Sequence, residues 1–321
     1  MNTLWTGRRP LLTAAACVTL IAWGCGGGEG AGEGAKPSPL VVVDGSSTVL
    51  RISEAAQEAF KVLEPTIRVV VDNHGTGGGF GRYLQGEVDI VDASRPAKAD
   101  EETKAEAQGI AWTRFIVGHD GITMVAHPSN AFAKSLSVEQ LKKIWEPGSA
   151  VKNWKDVDAS WPDRKIVLYS PDHDSGTFEY FTEAIVGKAG KQRDDVQASS
   201  DDNTLVSGVA GDPDGLGYFG YAYFEANKDK LRAIPVAPTG SAAAVAPGPE
   251  TILAQSYKPL ARPLFIYVKK SAARRPEVAA FLKFYLDNIV ALAKEGGYVP
   301  PSEAEIAQNA AAFAGLAAGA K

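Results

Sequence analysis

The stretch Gly75-Thr76-Gly77-Gly78-Gly79-Phe80 decides how this chain reads. It runs on through Gly81 to Leu84 and across Val88-Asp89-Ile90-Val91 into Asp92-Ala93-Ser94-Arg95-Pro96. Four glycines among six residues remove the side chains that keep a ligand from the backbone. Phe80, Tyr83 and Leu84 follow at helical spacing, so the glycines open a helix. A helix start this bare suits an anion, because its free N–H groups point outward and the helix dipole favours negative charge. The segment then crosses an apolar strand into Ser94-Arg95, which adds a hydroxyl and a planar guanidinium. The same residues also fit a glycine-rich surface turn with an arginine nearby, so the neighbouring segments must decide.

Upstream, the apolar strand Leu40-Val41-Val42-Val43-Asp44 enters Gly45-Ser46-Ser47-Thr48. Val49, Ile52, Ala56, Ala59, Phe60 and Leu63 then recur at helical spacing, which makes the serines and Thr48 a helix cap. Capping explains one hydroxyl and leaves the others without a need. Ile67 to Asp72 is the strand that feeds the glycine stretch. Downstream, the strand Ile166-Val167-Leu168-Tyr169 ends in Ser170-Pro171-Asp172-His173-Asp174-Ser175-Gly176-Thr177, with Phe178, Phe181 and Ile185 marking a helix. Three hydroxyl-rich strand-to-helix turns in one βα chain argue for a mostly parallel sheet with a ligand at the strands' carboxyl ends.

The other segments frame these turns. Asp100 to Gln108 is a charged helical stretch, Phe115 to Val125 a strand crossing into a second lobe, and Ser137 the cap of a helix bearing Leu141, Ile144 and Trp145. Trp154 and Trp161 read as core residues. Asp202-Asn203 caps a short helix, Gly217 to Tyr223 reads as an aromatic strand, and Pro259 to Val268 returns to the first lobe. A helix around Val278, Phe281, Leu282 and Tyr285 closes that lobe.

At 321 residues, 45% hydrophobic and 22% charged, the chain has a globular composition with room for two domains. A net charge of -5 without a basic stripe argues against nucleic acid. The two cysteines, Cys17 and Cys25, lie in the N-terminal segment, so the body has no thiolate metal site. The four histidines lack metal-ligand spacing and read as surface or loop residues.

Arg8-Arg9 before the apolar run Leu11 to Trp23 has the order of an export signal. Ala22-Trp23-Gly24-Cys25 resembles a bacterial lipoprotein box, although Trp23 replaces the usual small residue; Cys17, after Ala14-Ala15-Ala16, is the other candidate. Residues 1–25 therefore read as a signal peptide ending in a lipidated Cys25. Residues 26–39 read as a flexible glycine-rich tether.

Taken in order, Gly45-Ser46-Ser47-Thr48-Val49, the glycine stretch, Ala93-Ser94-Arg95-Pro96, Asp174-Ser175-Gly176-Thr177-Phe178, Asp201-Asp202-Asn203, Gly217-Tyr218-Phe219-Gly220-Tyr221 and Arg262-Pro263-Leu264-Phe265-Ile266-Tyr267 resemble the periplasmic phosphate-binding proteins of the Pst type. The resemblance runs from about Val41 to Pro301. It implies a two-lobed α/β binding-protein fold of type II, each lobe a mostly parallel sheet flanked by helices, with a two-strand hinge. Lobe 1 is expected at 40–124 and 262–321, lobe 2 at 125–261. It also implies a monomeric, lipid-anchored periplasmic protein that passes inorganic phosphate to an inner-membrane ABC permease, without catalysis, cofactor or metal.

By position, the family's anion contacts fall on Ser47, Thr48, Thr76, Gly77, Gly78, Ser94, Arg95, Ser175, Gly176 and Thr177. Part of the family carries an arginine just before the Ser-Gly-Thr turn, where this chain has Ser170-Pro171-Asp172-His173-Asp174, leaving Arg95 as the expected cation. Another branch has an aspartate where Arg95 stands, accepting the phosphate's own proton. Asp92 is the nearest substitute here and Asp174 the second.

Two other functions compete. A carrier or sensor of sulfate, molybdate or tungstate would use the same fold. A secreted phosphatase would need a nucleophile with a base or a metal cluster, and the chain has neither GxSxG nor a GK[ST] loop ending.

Overall fold

The computed structural model describes residues 39–318; the signal, Cys25 and nearly all of the tether lie outside them. The first βα repeats form as their periodicity demands. Strand β1 (Leu40–Gly45) leads into α1 (Ser47–Leu63), β2 (Arg68–Asp72) into α2 (Gly75–Leu84), and β3 (Ile90–Ala93) into α3 (Ala99–Ala107). The long β4 (Trp112–Ala126) follows, then β5 (Leu136–Ser137), α4 (Val138–Trp145), β6 (Val167–Pro171), α5 (Gly176–Phe181), β7 (Gln197–Ser199), α6 (Asp202–Gly211) and β8 (Gly215–Gly220). The chain continues through α7 (Tyr221–Ala226), β9 (Arg232–Ala233), β10 (Val236–Ala237), α8 (Pro249–Leu253), β11 (Ala261–Lys269), α9 (Pro276–Asp287), α10 (Ile289–Glu295) and α11 (Glu303–Ala318).

The main sheet has the order β2-β1-β3-β11-β4-β8-β6-β7, with β9 on β4. It is mixed overall, with a three-stranded parallel set in each lobe. β1, β2 and β3 run parallel, as do β6, β7 and β8, but β11 and β4 are antiparallel to each other and to the strands they join. These two strands break the βα repeat, because β4 carries the chain out of the first half of the molecule and β11 brings it back, so neither joins a parallel neighbour through a crossover helix. β4 changes partner within its length: Trp112–Gly121 lies along β11 and Ile122–Ala126 along β8. A Cβ on Gly121 would lie 2.3 Å from Ile252 of α8, so only glycine lets that helix close on the strand.

Separate cores lie on the two sides of this exchange. Phe60 of α1 meets Phe281 edge-on at 5.3 Å within the cluster holding Val43, Ile52 and Phe115. In the other, Phe181 stacks on Tyr218 at 3.7 Å, and Trp145 and Trp154 are fully buried, as their core reading requires.

Two expectations fail. The aromatic strand stops at Gly220, where Tyr221–Ala226 turns into a helix: the Gly/Tyr alternation ends, and Tyr221, Phe224 and Glu225 fall at helical spacing. His119 is a core residue, its Nε2 within 3.0 Å of the Glu305 carboxylate. Among the described residues no helix is long and apolar enough to cross a membrane, and no cluster of three acidic, His or Cys side chains stands ready for a metal.

Candidate functional site

The site is built from the starts of α1 and α5. Ser46 caps α1, its Oγ accepting from the Thr48 N–H at 3.2 Å, while its own N–H donates to the Asp92 carbonyl at 2.9 Å. One serine thus suffices for the cap, as the sequence suggests, and the next two hydroxyls turn elsewhere. Ser47 Oγ donates to Glu179 Oε2 of α5 at 3.3 Å, and Thr48 Oγ1 accepts from Arg262 Nη2 at 2.7 Å. At α5, Ser175 Oγ accepts from the Thr177 N–H at 3.2 Å. A Cβ built on Gly176 would lie 2.7 Å from Thr48 Oγ1, 2.8 Å from Thr48 N and 2.9 Å from Ser47 Oγ. Two helix starts from opposite lobes therefore meet head to head, adding their positive ends at one point.

Arg262 is the cation at this point, a residue that the sequence marks only as part of the Arg262–Tyr267 motif. It faces Asp120 across β11 and β4, with Nη2 3.4 Å from Asp120 Oδ2, and its guanidinium lies 3.6 Å over the Tyr180 ring. Burial pushes the Asp120 carboxyl up, and Arg262 opposes that shift. An arginine opening an otherwise apolar strand was the available signal. Nothing local, however, says that the strand's start faces α1.

Beside the meeting point lies a cavity of about 650 Å³. Ser46, Thr76, Gly77, Ser94, Arg95 and Arg262 line it from one side, and Glu179, Tyr180 and Glu183 from the other. Thr76 Oγ1 and Ser94 Oγ lie 3.2 Å apart, and Thr76 Oγ1 also accepts from the Ser94 N–H. A neighbouring cavity of about 610 Å³ is lined by Ser47, Asp174 and Ser175.

Arg95 reaches the first cavity with its charge already engaged. Its Nη1 and Nη2 each donate to Glu101 at 2.9 Å, a bidentate pair within lobe 1. The glycine stretch divides between two tasks. Gly77 borders Arg95, whereas a Cβ on Gly79 would lie 2.6 Å from Gly45 Cα and 2.8 Å from the Asp44 carbonyl. Gly79 thus lets α2 close on β1. Gly78 lines neither cavity and sits against His74 Cβ.

Asp92 also leaves the list of cavity residues. Alternation along β3 turns its side chain with Ile90, under α1 and away from the cavity. There Ser53 Oγ donates to Oδ1 at 2.9 Å and Tyr285 lies 3.1 Å beyond Ser53, while Oδ2 has no hydrogen-bond partner among the described residues. Burial pushes this carboxyl up to about 8 against the Ser53 hydrogen bond, with Asp44 and Glu54 adding to the rise. Asp174 is exposed at the mouth of the second cavity, its N–H donating to Asp172 Oδ1 at 3.2 Å.

A family model described as a PBP superfamily domain matches residues 28–288. Protein SphX of Synechococcus elongatus is 43% identical over 270 residues, 84% of this chain and 79% of that protein. The phosphate-binding protein PstS of Staphylococcus aureus is 37% identical over 294 residues, covering 91% and 87%. The chain belongs to the PstS-like family of periplasmic binding proteins. Its fold is that of the family too. A possible phosphate-binding protein from Planctomyces limnophilus, 43% identical, superposes with a TM-score of 0.84 over 87% of this chain and 99% of that one. A putative phosphate transporter substrate-binding protein from Clostridium perfringens, solved with bound phosphate, is 26% identical, with a TM-score of 0.56 over 82% and 100%. Both lobes of the PstS-like frame are thus present, with the helix starts, Arg262 and the cavity at their junction.

Proposed function

We propose that this chain captures inorganic phosphate between its lobes and delivers it to an ABC permease. The observation that carries the reading is the meeting of Ser47 and Thr48 with Gly176 beside Arg262. Dehydrating the anion costs several kcal/mol per charge, and a helix start returns only about 0.3–2 kcal/mol. Charge-assisted hydrogen bonds contribute on the order of 1.5–3 kcal/mol each, so hydroxyls, free N–H groups and one guanidinium together offset the cost. Thr76, Gly77, Ser94, Ser175 and Thr177 complete the donor set in this reading. The partner exchange within β4 at Gly121 and Ile122 supports a hinge there, between lobe 1 (40–124 and 262–321) and lobe 2 (125–261).

Calorimetry with phosphate, sulfate, molybdate and tungstate tests the assignment, with phosphate expected to bind near micromolar, about −8 kcal/mol. Tighter binding of another oxyanion would replace phosphate as the ligand. Gly176→Ala is expected to weaken phosphate at least tenfold, about 1.4 kcal/mol, while the ligand-free melting temperature changes little. The added methyl would strike the backbone of α1 across the cleft and leave each lobe's own core untouched.

Phosphate at neutral pH still carries a proton that sulfate lacks, so a carboxylate acceptor rewards one and repels the other. With Asp92 facing away, we assign this part to Glu179, which already accepts from Ser47 and lines both cavities. Glu179→Gln is expected to raise sulfate affinity relative to phosphate about tenfold; an unchanged ratio of the two dissociation constants removes Glu179 from the site. Lipid anchorage through Cys25, a periplasmic location, a monomeric state and the absence of catalysis complete the proposal. Incubation with a phosphate ester, with and without divalent metals, checks the last.

A further inference from the structure

We infer that Arg51, Asp202 and Tyr223 form a latch that holds α1 against lobe 2 and so sets how long the closed form lasts. This rests on the phosphate-carrier reading, and it concerns residues away from the anion. Ser47 and Arg51 stand four residues apart on α1, so they share one face of that helix. Each meets a carboxylate from the other lobe: Ser47 that of Glu179 on α5, and Arg51 that of Asp202, the first residue of α6.

Arg51 Nη1 lies 3.9 Å from Asp202 Oδ2, and the Asp202 side chain is only 12% exposed. The Tyr223 phenol lies beside both groups. Both ends of the latch are anchored in rigid material. Ile52, Ala55 and Ala56, next to Arg51, are buried in the lobe 1 core, while Leu205, Val206 and Val209 of α6 pack with Phe219 and half-buried Tyr223 in lobe 2. The two carboxylates act differently on an arriving anion. Glu179 stands at the helix start where the anion must come, whereas Asp202 grips the next turn of α1 and leaves that point free.

Opening the lobes must therefore break the Arg51 contact whether or not the start of α1 is filled. Apparent affinity scales with the population of the closed form, so a group that stabilises only that form tightens binding without touching the ligand. Arg51 is 44% exposed, which keeps the expected effect modest.

The test measures phosphate dissociation rates by stopped flow, and small-angle scattering without ligand, on the wild type and three variants. Arg51→Met and Asp202→Asn are each expected to speed dissociation about three- to fivefold with little change in association rate, and to enlarge the ligand-free radius of gyration. The exchanged pair Arg51→Asp with Asp202→Arg is expected to return both quantities toward wild type. Single variants that leave scattering and dissociation unchanged, or an exchange no better than the sum of its parts, would overturn the latch. The scattering comparison decides it even if wild-type protein fails to bind phosphate, a failure that would strike the carrier reading instead.

Discussion

Arg262→Met is expected to weaken phosphate binding on the order of 100-fold, the upper end of one lost charge-assisted hydrogen bond at about 3 kcal/mol. The guanidinium joins three things: the hydroxyl at the start of α1, the buried Asp120 carboxylate and the face of Tyr180. Methionine keeps the stem over the ring and removes the charge, so the loss reports the guanidinium rather than packing. It also leaves Asp120 buried without its cation, and a lower melting temperature should accompany the affinity loss. Arg95→Ala is expected to cost only a few-fold, because that guanidinium is already held by two hydrogen bonds to Glu101. Calorimetry on both variants ranks them. A larger loss at Arg95 would return the principal cation to the residue that the sequence alone singles out.

The second large effect concerns stability. An unfolded aspartate ionises near about 3.9. In the folded chain Asp92 is held up to about 8 by burial. Between those values the folded chain holds one more proton than the unfolded chain. The stabilisation is therefore full below about pH 4 and is lost as pH rises to 8. Asp92→Asn keeps a neutral side chain that still accepts from Ser53 and takes no part in this titration. Denaturant unfolding at pH 5 and pH 9 is expected to show the variant gaining on the wild type by on the order of 4 kcal/mol between the two. Parallel curves would mean that Asp92 is already ionised in the fold at pH 5. Phosphate affinity of the variant at pH 6 should stay within about twofold of wild type, because Asp92 does not face the cavity.

The alternation of strands and amphipathic helices from Leu40 to Leu84 was legible because each element's period is a local property, and the serine cap of α1 followed from its neighbours alone. The mixed sheet was not legible. Nothing in Phe115 to Val125 or in Pro259 to Val268 records that these strands lie side by side, since their pairing spans more than a hundred residues. The glycine stretch misled in part. Four glycines look alike in sequence, yet Gly77 borders the cavity and Gly79 serves the contact of α2 with β1. Asp92 went astray for a related reason: proximity to Ser94 in the chain says nothing about which sheet face a side chain takes until the strand's register is known.

Residue types and their spacing were enough to read an α/β fold and the three hydroxyl-bearing turns, because helix starts, caps and strand periods depend on contacts within a few positions. Which groups stand together was settled by folding. The approach of Gly176 to Thr48, the placing of Arg262 beside them and the turning of Asp92 into the core all join parts of the chain distant in sequence. Such encounters are fixed by sheet order and by the packing of whole lobes, which no short window of residues encodes.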